Sequence, residues 1–131
     1  MVFYRVYDPT IGVFNKELNH VWVFSSMDRV DDFITEERLL SKIDIPNYDK
    51  LKLPFADEII EDIEKFSRKR VEDIENPYED DWFYNIVYIP SNAFINHLVN
   101  IGYDGYCIDE ELICIARKNA KLKVLDKNVS V

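Results

Sequence analysis

Apolar residues recur along this chain with two periods, and the switch between them predicts the elements. Phe3-Tyr4-Arg5-Val6-Tyr7 crowds aromatic and β-branched side chains ahead of Asp8-Pro9, which predicts a first strand closed by a turn. His20-Val21-Trp22-Val23-Phe24 predicts a second strand ending at Ser25-Ser26, and the connection between the two carries Gly12. Beyond the serines, Met27, Val30, Phe33 and Ile34 fall at helical spacing, so a short serine-capped helix is expected there. Residues 36–46 allow a helix extension or a strand, and Leu40, Ile43 and Ile45 ahead of Pro46 favour the strand. Residues 55–75 repeat apolar side chains every three or four positions behind Pro54, which predicts the longest helix. Residues 82–89, Trp-Phe-Tyr-Asn-Ile-Val-Tyr-Ile, are dense in strand formers and stop at Pro90, so a strand is expected. Ser91 then caps a second amphipathic helix with Phe94, Leu98 and Val99 inward and Gly102 at its end, and residues 122–125 predict a last strand.

Residues 102–116 join three features. Gly102 and Gly105 flank Tyr103-Asp104 and mark a sharp turn. Asp109-Glu110-Glu111 then runs straight into Leu112-Ile113-Cys114-Ile115-Ala116, an apolar run of strand length that predicts a central strand covered on both faces. Strand alternation would put Asp109 and Glu111 on one face and Glu110 on the other. Acids at a strand mouth serve as a solvated end or as a charge site. Arg5 offers a similar choice, because an arginine in an apolar strand points outward or holds an anion through its planar fork.

Composition narrows the function classes. The 131 residues suffice for one domain, 1–131, and 47% hydrophobic with 14% aromatic content argues against global disorder. No apolar run approaches bilayer-spanning length and the N-terminus shows no signal pattern, so a soluble cytoplasmic protein without a membrane partner is expected. Acids outnumber bases 25 to 16, a net charge of -9, which disfavours direct nucleic-acid binding and suits a basic protein partner. Cys107 and Cys114 have poor spacing for a disulfide or a metal, and with two histidines no metal site is expected.

The order of strand with Arg5, strand ending in Ser25-Ser26, helix, helical insertion, strand, helix, Gly102-Tyr103-Asp104-Gly105 turn and Glu111-Leu112-Ile113-Cys114-Ile115 resembles the ADP-ribosyltransferase fold. The resemblance is to its small phage-borne versions, including anti-CRISPR ADP-ribosyltransferases that act on type I-F surveillance complexes. It implies an α+β fold of two small packed antiparallel or mixed sheets with flanking helices. It also implies NAD as cofactor and transfer to a protein target in the host cytoplasm, such as a defence or nucleic-acid-binding complex. On this resemblance Glu111 would hold the ribose 2′-hydroxyl, with Asp109 or Glu110 as substitutes for it. Ser25, with Ser26 in the serine motif, would position that carboxylate and the ribose; Arg5 would grip the phosphates, and Tyr4, Phe24 or Tyr103 would stack on nicotinamide. Ser25-Ser26-Met27 keeps only part of the family's Ser-Thr-Ser, and Asp109 stands where Glu or Gln is usual. The alternative is a catalytically inactive protein of this fold that docks its acidic helix on a basic partner.

Overall fold

The computed structural model of the protein describes residues 1–71 and 81–129. Six strands form one antiparallel sheet: β1 (Val2–Tyr7), β2 (His20–Phe24), β3 (Leu39–Asp44), β4 (Gly105–Cys107), β5 (Leu112–Ala116) and β6 (Lys123–Asp126). They lie side by side in the order β4-β5-β2-β1-β3-β6. The architecture is therefore α+β, but the two separate sheets expected from the sequence are one. The ladder thins in the middle instead, where β1 and β2 pair only at Tyr4 and Phe24 while β1 and β3 pair along all of β1.

Both faces of the sheet are covered. On one face Phe3, Val21, Val23, Ile43, Ile113 and Ile115 pack under loop side chains that include Phe14 and Tyr48. On the other, the β4-β5 end carries the helices α1 (Ile60–Ser67), α2 (Asp81–Tyr88) and α3 (Asn92–Asn100), whose Ile63, Phe83, Val87, Phe94 and Leu98 are buried with Tyr106 and Cys114. A 3-10 helix, Met27–Asp32, covers the remainder of that face through Val30. All five residues of β5 are buried, as the two-sided cover requires.

Two helical expectations change. Residues 82–89 are not a strand; residues 81–88 form α2. Phe83 and Val87, four apart, are fully buried, and Tyr84 stacks on Tyr88 at 4.4 Å, the contacts of a helix face. Aromatic and β-branched residues on every side had hidden that period. The long helix over 55–75 is shorter than expected: a 3-10 turn, Ala56–Ile59, leads into α1, which ends where Arg68 turns left-handed at φ 59°. The Val71 N–H then donates to Glu64 Oε2 at 2.7 Å, folding the chain back. Residues 72–75, and the acids Glu79 and Asp80, lie outside the described residues. No helix among the described residues is long and apolar enough to cross a membrane.

The Gly102–Gly105 turn has two different needs for glycine. Gly102 (φ 102°) closes α3, with its own N–H donating to the Val99 carbonyl and that of Tyr103 to Leu98, and a Cβ there would meet nothing within 4 Å. At Gly105 (φ 144°) a Cβ would stand 2.0 Å from the Cys114 carbonyl oxygen of β5. Gly105→Ala is expected to cost about 3 kcal/mol or more, and Gly102→Ala about 1 kcal/mol, in urea unfolding. Equal losses would contradict this reading of the turn.

Candidate functional site

The opening between β1 and β2 is filled by a side chain. Ser25 N–H donates to the Glu111 carbonyl of the β5 side at 3.0 Å, so by antiparallel alternation the Trp22 carbonyl faces β1, where the ladder has stopped. Arg5 supplies the missing donor: its Nη1 donates to Trp22 O at 3.0 Å and its Nε to Val13 O at 2.5 Å. Burial lowers the Arg5 pKa to about 10, and the fields of Arg117 and Arg38 push in the same direction. The guanidinium therefore stays charged at neutral pH, in a neighbourhood of like charge.

A cavity of about 380 Å³ lies beside it. Trp22, Phe24, Phe33 and Tyr88 give it aromatic walls, and Arg5 and Arg38 give it positive charge. Phe24 and Phe33 pack ring to ring at 5.1 Å. Leu112, the first residue of β5, also lines the cavity and places it next to the acidic segment that precedes that strand. The Tyr88 phenol is raised above its ordinary value by burial first, then by Tyr84 and the Asp109 carboxylate, so the cavity wall also lies within the field of Asp109.

Those acids occupy a bend rather than strand geometry. Asp109 Oδ1 accepts the N–H groups of Glu111 at 2.8 Å and Leu112 at 2.9 Å, which turns the chain into β5. Arg29, on the 3-10 helix, pairs with Asp109 Oδ2 and brings its Nε to 4.0 Å from Glu111 Oε2. Asp109 and Glu111 thus face one cation, each with a side chain 42% exposed. Glu110 is exposed, and only its carbonyl joins the group, accepting the Ser25 hydroxyl at 2.9 Å.

The structure brings Phe24, Ser25, Asp109, Glu110 and Glu111 together where β2 ends and β5 begins, whereas Arg5 stands apart on β1 and meets this group only through the cavity that it lines with Phe24 and Leu112. Tyr4 lies across from Phe24 and packs with Leu40 and Val30 on the cavity's side of the sheet. Ser26 is a helix cap, accepting the Asp28 N–H at 3.1 Å. Tyr103 sits at the opposite end of β5 from Glu111, beside Lys52, whose Nζ is 5.0 Å from its ring. The sequence reading missed Arg29, Arg38, Phe33 and Tyr88. Arg29 carried a signal, as a cation one turn after serines expected to lie near carboxylates, whereas Tyr88 was concealed by the strand-like composition of α2.

Cys107 and Cys114 are free and buried; burial pushes the Cys107 thiol up to about 11 and raises that of Cys114 further, which suits packing rather than reactivity. Among the described residues no group of three or more His, Cys, Asp or Glu side chains gathers as metal ligands would. Comparison with protein-family models, with curated proteins and with solved structures finds no match to this chain.

Asp109 has a testable pH signature. Burial raises its pKa, but the Glu111 N–H, Arg29 and the Leu112 N–H more than offset this, and the net shift is downward from 3.8. The unfolded chain therefore takes up the proton first as pH falls, so the stabilisation is complete above the ordinary carboxylate range and is lost on acidification through the lower folded value. Discounted for exposure, Asp109→Asn is expected to cost about 0.5–1 kcal/mol at neutral pH. In urea unfolding across a pH series that gap should begin to narrow below about pH 4 and close once the pH has fallen below the lowered folded value; a gap that does not shrink on acidification would contradict the ion-pair account.

Proposed function

We propose that this chain is an NAD-dependent protein ADP-ribosyltransferase, acting at the cavity beside Arg5. The observation that carries the reading is one aromatic-walled cavity of about 380 Å³ with guanidinium charge in its lining and the Asp109 carboxylate within field range of its wall, Glu111 facing the same arginine as Asp109. The size lies within the range of small-molecule sites, where a few placed polar groups orient a largely apolar contact surface. These residues fit the parts of a nicotinamide dinucleotide: flat rings for a base, cations for phosphates and a carboxylate for a ribose. When bound, NAD supplies a glycosidic bond whose cleavage develops positive charge on the ribose.

Glu111 is the group suited to that charge, because its carboxylate is partly shielded from water and tethered through its own backbone to β2. Ser25 contributes by locking β2 to the acidic bend through both its N–H and its hydroxyl. Arg38 is the freer phosphate donor, since Arg5 already serves two carbonyls and acts mainly through its fixed charge. Arg29 holds Asp109, and Glu111 has to leave its edge to meet a sugar. The resemblance in residue order adds the expectation that the acceptor is a protein.

A second reading is favoured by the same ion pair. Arg29 engages both acids and the Ser25 hydroxyl is used on a backbone carbonyl, as befits a non-catalytic protein of this fold that binds a basic partner through exposed acids such as Asp57, Glu58 and Glu61. Incubation with labelled NAD and a cell lysate separates the two. Catalysis predicts a labelled protein band and released nicotinamide, and Glu111→Gln, still folded, should lower kcat by about 10²- to 10³-fold. A mutant with wild-type rate would remove Glu111 from the chemistry. No label and no nicotinamide, with salt-sensitive capture of a basic protein, would favour the binding reading.

A further inference from the structure

A second hollow lies on the other side of Arg5, under the loop that joins β1 to β2. Val13, whose carbonyl holds Arg5 Nε, lines it, whereas Trp22, whose carbonyl holds Nη1, lines the cavity described above. Its volume is about 460 Å³. Among the described residues the charged ones in its lining are Lys16, Arg117 and Lys127, and none of those that line it carries a carboxylate. This runs against the composition, in which acids outnumber bases 25 to 16.

The three cations are not neutralised locally: among the described residues no ion pair within 4.0 Å involves any of them. Two of the nearby acids are turned to other donors. Asp8 Oδ1 accepts from the Thr10 N–H at 2.9 Å and the Thr10 hydroxyl at 2.7 Å, and Asp126 Oδ1 accepts the Asn128 N–H at 2.9 Å. Arg117 is held in place without losing its charge. Its Nη1 donates to the Asn15 carbonyl at 3.1 Å and the Leu18 carbonyl at 3.2 Å, and the guanidinium lies over the Phe14 ring at 5.5 Å. Arg5 registers this charge, since Arg117 is the largest of the neighbouring charges that depress its pKa. Lysines near an edge strand also discourage unwanted pairing, but that role does not account for an anchored arginine on a loop.

We propose that this hollow is a binding site for a small organic phosphate, with Arg117, Lys16 and Lys127 taking the phosphate and Phe14 and Ile11 the body of the ligand. The planar fork of an arginine already fixed by backbone carbonyls suits a phosphate group, because little freedom is lost on binding. Apolar side chains in the wall favour a bounded ligand with a hydrophobic part over a long polyanion, which the net charge of -9 also repels. The site does not depend on the NAD reading and carries none of that reading's residues.

The test is a titration of the ¹⁵N-labelled chain with phenyl phosphate, followed by amide shifts, with phenol and a single-stranded oligonucleotide as comparison probes. Saturable shifts are expected in residues 11–16 and 117–118, with a Kd of about 1 mM or tighter. Because Arg117→Gln removes anchors of the loop, the deciding variant is the exposed pair Lys16→Glu/Lys127→Glu, which should weaken binding at least roughly tenfold while the remaining spectrum is unchanged. Glu111→Gln should leave the titration as it is. Absence of saturation, equal response to phenol, tighter binding of the oligonucleotide, or indifference to the double charge reversal would each overturn the proposal.

Discussion

A guanidinium stands where a backbone ladder stops, and much of the molecule is arranged around that substitution. Four of the five neighbouring strand pairs in the sheet are joined along several residues, whereas β1 and β2 meet at one. Opening a sheet in the interior strands a carbonyl that has lost its partner, and a buried unsatisfied carbonyl is costly. Arg5 satisfies Trp22 from one side and the β1–β2 loop, through Val13, from the other. The opening is therefore held apart by a charged prop instead of closing or flooding. Because the prop remains charged after burial, a positive potential is built into the middle of an acidic protein.

The head of β5 supplies the opposite sign. Asp109 spends one oxygen on turning the chain and the other on Arg29, and this leaves Glu111 beside the same arginine at longer range. Local structure and electrostatics are inseparable here: the bend that starts a fully buried strand is the bend that holds the carboxylates near the aromatic cavity. The proposed chemistry draws on this pairing of charges around flat rings, and it rests on the site rather than on the fold, since one fold hosts many functions.

What the sequence made legible follows the physics of each element. β2 was visible to the residue, because four strand formers follow His20 and end at two serines, and β5 was visible because an apolar run with no polar interruption must be covered on both faces. The α2 helix was not, since Trp82, Phe83, Tyr84, Ile86, Val87 and Tyr88 are all bulky and only Asp81 and Asn85, four apart, give the helical period a polar contrast. α1 was overextended because the apolar recurrence continues to Val71, whose side chain reaches the core after the chain has already left the helix at Arg68. In the site, Arg5 and the acids stood out as charges adjoining apolar runs. Their partners did not, because Val13 O and Trp22 O are backbone atoms and Arg29 is distant in sequence from Asp109. Tyr103 was expected at the site on the resemblance alone, but β4 and β5 carry it to the other end of the sheet.

The proposed function requires that the opening propped by Arg5 receive a nicotinamide dinucleotide. The most direct measurement is an NMR titration of the full chain with NAD, read at the indole N–H of Trp22 and the Nε–H of Arg5, which report the cavity wall and the prop itself. Both resonances are expected to move together and saturate, with the amides of residues 109–112 following. A folded protein in which NAD moves neither resonance at millimolar concentration would contradict it.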